Sequence, residues 1–504
     1  MNHFKCLLFA FSSAMAKSLL LLTGIGALAS CQTLFGDLSV PNPANCSATQ
    51  DSCQADETCH PQREVCVPAL ELYRATPNLG SSAGGIAVSL YGERFLPGVT
   101  VELDGQLVPN VEVKSSTELS FVLPASTQGH FVAPITVRNP TGHSIRQDSL
   151  FRYYADKLSF GERQTSLPSG ANDLQIADFT GDGRPDVLLG LAGEAAVYHM
   201  ASTKEGLFQT PTLSTAAMNP YRTDRIVPIQ LPTDKYPGAL IAWNNQVQWY
   251  SGNGSGSFSG QTRVTVGGSV ATMEPCKSGR TDAQTLFVST VATQELFQLA
   301  LRSDGTQETP VRIAQGIAAP AIRCVDLDGD GKEELLSVDG VSALTVWWLH
   351  KPGGLTQQQI STAGVCIPIG LVAADFDQDG ATDVVVSCNQ GILRFRNEQG
   401  NLVPKPIITS PSILGSGLLS ADLSGDGWPD LVYVDRGQKR IVSQLADRLG
   451  SYLPPTVLHA DPGQNWLGFQ RLLAADFNDD SKLDVVYSAV TNGTSFILLT
   501  NQSK

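Results

Sequence analysis

Asp375-Phe376-Asp377-Gln378-Asp379-Gly380-Ala381-Thr382-Asp383 places carboxylates at positions 1, 3, 5 and 9 of a nine-residue stretch, with glycine at position 6. Acidic side chains on alternate residues of a tight loop can all turn inward. A hard cation such as calcium takes six to eight oxygen ligands at about 2.3–2.6 Å. The backbone carbonyl at position 7, here Ala381, can supply a further oxygen. Glycine at position 6 permits the left-handed turn that a residue with a Cβ resists. A single copy could be an acidic hairpin turn and no more.

The stretch recurs. Asp178/Thr180/Asp182/Asp186, Asp326/Asp328/Asp330/Glu334, Asp422/Ser424/Asp426/Asp430 and Asp476/Asn478/Asp480/Asp484 repeat the pattern, with Arg184, Lys332, Trp428 and Lys482 at position 7. Copies starting at 326, 375, 422 and 476 are separated by 49, 47 and 54 residues, and the gap from 178 to 326 is close to three such periods. Two worn copies fill it, around Gln230 and Cys276, each between apolar runs with most of the acidic ligands lost. Seven periods of roughly 50 residues therefore span 155–504.

Each period has one grammar. An apolar strand enters the loop (Leu371-Val372-Ala373-Ala374) and a second leaves it (Val384-Val385-Val386). A third follows (Ile392-Leu393-Arg394-Phe395), then a Gly/Asn turn and an outer fourth strand. Four strands repeated seven times predict a seven-bladed β-propeller, whose closure removes exposed sheet edges. The last apolar run, Phe496-Ile497-Leu498-Leu499, is a third strand. The outer strand of that blade is expected from Leu158-Ser159-Phe160 onward, so both ends of the region would build one blade.

The repeats resemble the FG-GAP/VCBS family, whose calcium-loop propellers include the integrin α-chain head and many bacterial surface proteins. The resemblance implies about five structural Ca²⁺ sites. By charge count the loops at Asp326 and Asp375 rank first, with four carboxylates each. Thr180, Ser424 and Asn478 stand at position 3 of the other loops as oxygen ligands without charge. The Asp476 loop carries Ser481 where glycine is expected. Magnesium is the alternative ion, but it demands stricter octahedral geometry.

Upstream, 70–154 shows period-two alternation with regular turns, as in Val88-Ser89-Leu90-Tyr91-Gly92-Glu93-Arg94-Phe95 and Leu119-Ser120-Phe121-Val122-Leu123-Pro124. This predicts an immunoglobulin-like β-sandwich. Its proline start, strand-ending phenylalanine and closing Phe151-Arg152-Tyr153 resemble the IPT/TIG domain. The chain as a whole reads as all-β, a sandwich followed by a propeller.

Residues 1–31 read as a targeting segment. Lys17 precedes an apolar run that ends Leu28-Ala29-Ser30-Cys31. This resembles the bacterial lipobox, which implies cleavage before Cys31 and its lipidation. Gln32 after the cysteine implies outer-membrane sorting. A plain secretory signal is the alternative. Residues 32–69 combine a tether with Cys46, Cys53, Cys59 and Cys66, a four-cysteine module read as two disulfides of open connectivity, with zinc as the alternative. Cys366 and Cys388 flank one acidic loop, and Cys276 and Cys324 lie near the inner strands of adjacent repeats. Both pairs are expected to be disulfides.

The 504 residues include 34 Lys and Arg against 48 Asp and Glu, a net charge of −14, which argues against nucleic acid as partner. Seven scattered histidines show no triad, zinc motif or phosphate loop. The expectation is a lipid-anchored, calcium-binding protein of the bacterial outer membrane or cell surface. It is expected to be no enzyme and to bind or adhere through the propeller to a surface protein or polysaccharide. Two alternatives stand beside it: a lectin-like propeller using Trp347, Trp348 or Trp428, and a polysaccharide-active enzyme.

Overall fold

The computed structural model describes residues 57–59, 66–191, 196–216, 223–350, 354–389, 391–405, 413–460, 471–490 and 494–503. Cys31, expected to carry lipid, and Cys46 and Cys53 of the four-cysteine stretch lie outside them. The strands Glu57–Cys59 and Cys66–Pro68 pair antiparallel, with Cys59 opposite Cys66 in the backbone register.

The sandwich has two sheets. One orders Leu79–Ser81, Ser144–Tyr154, Phe131–Arg138, Thr100–Leu103 and Gln106–Leu107; the other orders Glu71–Thr76, Ala87–Glu93, Glu118–Val122 and Glu112–Ser115. Alternation puts Val88, Leu90, Val101, Leu119, Ile135 and Val137 between the sheets, all fully buried. These side chains form a core of their own.

Seven four-stranded antiparallel sheets follow. Their innermost strands are Ala171–Ala177, Thr223–Ile229, Val270–Cys276, Ala321–Val325, Pro368–Ala374, Ile413–Ala421 and Leu472–Ala475, numbered here as blades 1 to 7. Each innermost strand adjoins the next, and that of blade 7 returns to that of blade 1. The ring is closed. Blade 7 takes its outer strand, Phe160–Ser166, from the start of the region, paired along its length with Thr494–Asn501. The second strands are almost wholly buried, because each is covered by neighbouring blades on both faces. That is why they read as unbroken Val/Leu runs and not as alternating ones.

Two disulfides brace the ring. Cys276–Cys324 joins the innermost strands of blades 3 and 4, and Cys366–Cys388 joins both ends of the first hairpin of blade 5; Cα atoms are 5.4 Å apart in each. Closing loops with separations of 48 and 22 residues should stabilise by about 4 and 3 kcal/mol on the chain-entropy estimate. Cys276→Ser with Cys324→Ser is expected to lower the denaturation midpoint more than Cys366→Ser with Cys388→Ser. Equal midpoints for wild type and both variants would overturn this.

Candidate metal loops and the sandwich contact

The five acidic loops each connect the first and second strands of a blade. In every loop the position-5 carboxylate accepts the amide of position 7: Asp182 from Arg184 at 3.0 Å, Asp330 from Lys332 at 2.8 Å, and Asp379, Asp426 and Asp480 from Ala381, Trp428 and Lys482 at 2.9 Å. The position-1 carboxylate accepts amides from positions 4 to 6. Asp422, for example, accepts from Gly425, Asp426 and Gly427 at 2.7, 3.0 and 2.8 Å. The side chains are thus drawn to the inside of the turn by backbone donors.

Position 9 is a brace as well as a carboxylate. Asp186, Asp383, Asp430 and Asp484 are fully buried and Glu334 is 2% exposed. Asp186, Glu334, Asp430 and Asp484 accept the amide of position 2 at 2.9–3.2 Å. The third strand of the blade or the turn after it supplies a second amide, from Ser202, Asn397, Ala446 and Asn501, to Asp186, Asp383, Asp430 and Asp484.

The residue at position 3 differs between the loops. Thr180 and Asn478, expected as oxygen ligands, stand there with uncharged side chains. The hydroxyl oxygen of Thr180 is buried without a hydrogen-bond partner, and Thr180 donates its amide to Asp186 at 3.0 Å. It serves the position-9 brace. Asn478 Oδ1 accepts the Asp480 amide at 3.1 Å, so the turn itself occupies that oxygen. Its Cβ packs on blade 1, where a Cβ added at Gly206 would fall 2.7 Å from it. The uncharged Asn478 side chain is not repelled by the neighbouring carboxylates and has a backbone partner within reach.

The carboxylates differ in the same way. Asp326, Asp328 and Glu334 bring oxygens within 4.8 Å of one another, as do Asp375, Asp377 and Asp379. Among the described residues, the loops containing Thr180, Ser424 and Asn478 form no such cluster of three. Asp377 Oδ1 is buried without a hydrogen-bond partner. An all-oxygen donor set with an orphaned buried carboxylate oxygen fits a hard cation.

Sequence reasoning missed three further features. Position 4 is left-handed in all five loops, at Gly181, Gly329, Gln378, Gly425 and Asp479. Glycine at three of those positions was the available signal. Ser481 also holds the left-handed conformation, with φ 64°, so the Asp476 loop keeps the turn despite its Cβ. Next, Asn397 and Asn501 staple blades together: their amides donate to Leu327 and Leu423 carbonyls of the preceding loops at 2.8 and 3.0 Å. The third feature is arginine.

Arg394, on the third strand of blade 5, is 7% exposed at its side chain and donates to Asp383 at 2.6 Å and Asp377 at 2.9 Å. Arg396 reaches Asp377 and Asp379 at 2.9 and 3.0 Å. The Asp375 loop therefore carries its own guanidinium neutralisation. Arg448 likewise contacts Asp426 at 2.7 Å, and Arg184 contacts Asp182. At the Asp326 loop, Lys332 approaches Asp330 at 4.0 Å.

Burial pushes Glu334 up to about 7, helped by Asp328, Asp330 and Asp326. It pushes Asp430 and Asp484 to about 7 as well. Asp383 is raised by burial in spite of Arg394. At Asp186 burial also raises the pKa, but contacts from His199 and Ser202 outweigh it and the net shift is downward. Unfolded carboxylates titrate near 4. Between that value and 7 the metal-free folded state holds more protons than the unfolded one, so its stability falls as pH rises through this window. Protein stripped of divalent ions should melt higher at pH 5.5 than at pH 8, and excess calcium, which needs the ionised carboxylates, should reverse the order. A metal-free melt that climbs with pH over this range would refute the reading.

The sandwich rests on these loops. The Ala155 amide donates to the Ser424 carbonyl at 2.9 Å, and Lys482 Nζ to the Gln128 carbonyl at 2.9 Å. The Arg448 guanidinium lies 3.6 Å from the Tyr154 ring centroid. Gly425 meets the His130 ring so closely that an added Cβ would fall 2.0 Å from it. Beside this contact Asn78, Leu79, Phe151 and Arg152 of the sandwich face Gln378, Asp426 and Trp428 of the propeller across a cleft of about 410 Å³. Trp428 is half-buried there. Trp347, by contrast, is 3% exposed and donates to Ser337 at 2.8 Å, so it packs the blade.

Two family models match the chain. The IPT/TIG domain covers 70–153, and the FG-GAP-like repeat covers 326–386, 375–433 and 422–487. The protein thus carries an IPT/TIG domain followed by FG-GAP-like repeats in a seven-bladed propeller. No curated protein matches the chain. Among solved structures, it is similar to BBS1N from a complex with ARL6DN, at 12% identity and TM-score 0.47 over 68% of this chain and 96% of that one. Auxiliary nutrient binding proteins from Bacteroides ovatus and Bacteroides thetaiotaomicron are similar at 13% and 11% identity, both with TM-score 0.38, over 86% of this chain and 98% of theirs.

Proposed function

We propose that this is an exported, lipid-anchored binding protein of the bacterial surface, not an enzyme, with a propeller held in shape by calcium. The ligand-bearing region is the cleft between sandwich and loop face. Interfaces between domains are preferred ligand sites, and this one sets an aromatic ring beside amide, guanidinium and carboxylate groups. That arrangement suits a polysaccharide: Trp428 stacks on a sugar ring, while Asn78, Gln378 and Arg152 bond its hydroxyls. The calcium role is structural, since protein atoms supply the donors. Asp326, Asp328, Asp330 and Glu334 would hold one ion, with the Lys332 carbonyl, and the Asp375 loop offers the equivalent positions. The loops at Asp178, Asp422 and Asp476 would bind more weakly, with three carboxylates each and an uncharged position 3. The disulfides Cys276–Cys324 and Cys366–Cys388 support an oxidising compartment, and with it export.

Glycan-array binding by the lipid-free ectodomain tests this, with Trp428→Ala beside wild type in calcium. Signal lost in the variant with an unchanged melting temperature is expected. Signal that survives would move the site elsewhere. A pull-down of a protein partner that is indifferent to Trp428 would favour adhesion to protein.

A further inference from the structure

The axial opening of the propeller differs in charge from the rest of this acidic chain. In blades 1, 2, 3 and 5 the innermost strand begins with a register shift, between Ala171 and Asp173, Thr223 and Arg225, Val270 and Thr272, and Pro368 and Gly370. Bulges of this kind re-aim the next side chain. In all four blades the residue after the shift lines one cavity on the axis, of about 100 Å³, several times the ~30 Å³ share of one water. Arg225 of blade 2, Arg323 of blade 4 and Arg471 at the entry to blade 7 converge on it. The lining holds two carboxylates, Asp173 and Glu274, and three guanidinium groups, of which Arg225 also donates Nη1 to the Asp224 carbonyl at 2.6 Å.

Those carboxylates are already committed. Asp173 is 1% exposed and accepts the amides of Leu174 and Ile226 at 3.0 and 2.7 Å, along with Arg471 Nε at 3.0 Å. Glu274 accepts Arg323 Nη1 at 3.0 Å. These bonds use one nitrogen each of Arg323 and Arg471, and among the described residues their remaining nitrogens have no hydrogen-bond partner. The far wall, from Gly370, Leu371 and Leu418, is uncharged, and the Arg323 side chain, 44% exposed, is reachable from solvent.

We propose that this axial cavity is a binding site for a compact oxyanion, either an inorganic sulfate-type ion or the carboxylate of an acidic sugar, held by Arg225, Arg323 and Arg471. Guanidinium forks match such oxyanions with paired, charge-assisted hydrogen bonds. In a chain of net charge −14, three guanidinium groups around one cavity make a local field that attracts anions. The apolar wall accepts the carbon skeleton of an organic anion. The site is independent of the cleft at Trp428 and stands or falls separately.

Calorimetric titration of the calcium-loaded ectodomain with sulfate, and separately with galacturonate, tests the site at constant ionic strength against chloride. One-to-one binding of at least one of them is expected, and the two arms distinguish a free inorganic ion from a sugar acid. The double variant Arg323→Gln with Glu274→Gln removes the pair without leaving a buried carboxylate alone. It should weaken binding roughly tenfold or more, about 1.4 kcal/mol, while Trp428→Ala leaves it intact. Arg225→Lys keeps the charge but loses the fork, and gives a second reading of weakened affinity should the double variant fold poorly. Absence of binding for both anions, or unchanged affinity in folded axial variants, overturns the proposal.

Discussion

Deleting the strand Thr494–Asn501 is expected to abolish the cooperative melting of the propeller. The strand is the third of blade 7, between Asp484–Val490 and Phe160–Ser166, so its loss breaks two ladders and opens the ring. Phe496, Ile497, Leu498 and Leu499 are at most 3% exposed. At about 1.5–3 kcal/mol for each buried side chain, their loss removes about 6–12 kcal/mol, comparable with the whole stability of about 5–15 kcal/mol of a typical domain. Asn501 leaves with the strand, and with it the amide that Asp484 accepts and the staple to the Leu423 carbonyl. Calorimetry and near-ultraviolet circular dichroism would report the outcome. A transition within a few degrees of the intact protein would mean that the ring does not depend on closure by both ends of the region.

The second large effect concerns the metal. Removing divalent ions at pH 7.5 is expected to lower the melting temperature by about 10 °C, since each loop occupied at a hundredfold excess over its Kd adds about 2.7 kcal/mol. The loops should not contribute equally. Asp326→Asn with Asp328→Asn is expected to remove more of the calcium-dependent shift than Asp375→Asn with Asp377→Asn. In the Asp375 loop, Arg394 and Arg396 already neutralise the carboxylates that an ion would take. Asp326, Asp328 and Glu334 bring oxygens within 4.8 Å of one another, and a cation relieves that repulsion. The reverse ranking, or a melt indifferent to chelation at moderate salt, would sink this account.

Charge count in the sequence ranked those two loops together, and the difference lies in a residue the alternation pattern gave no reason to notice. Arg394 sits in Ile392-Leu393-Arg394-Phe395 as an ordinary strand cation. Strand pairing sets Arg394 opposite Val385, two residues beyond Asp383. The same holds for Asn397 and Asn501. Their partners lie 70 and 78 residues earlier, in the neighbouring blade, and no local spacing encodes that meeting. Asn478 shows the limit of spacing in another way. It stands at a ligand position and its amide oxygen also accepts the Asp480 amide, a local pairing that residue order does not state. Position 4 of the loops was nearer to hand: the glycines of three copies state the need for positive φ, and Gln378 and Asp479 show that the rest of the turn enforces it.

The axial arginines are a stronger case. Arg225, Arg323 and Arg471 lie some 98 and 148 residues apart, and only closure of the ring brings them to one cavity. The sandwich contact is similar, because nothing in 70–154 announces a surface for His130 to lay against Gly425.

The sequence alone determined the strand grammar, the sevenfold period, the five acidic loops and the two propeller disulfides. All of these rest on local periodicity or on spacing within and between adjacent repeats, which a chain carries in one dimension. Tertiary structure alone decided which loop meets two arginines, which carboxylates are buried braces, where the sandwich rests and what meets on the axis. Those are matters of which charges lie within a few ångströms across different blades, and electrostatic interaction depends on distance in space, not on distance along the chain.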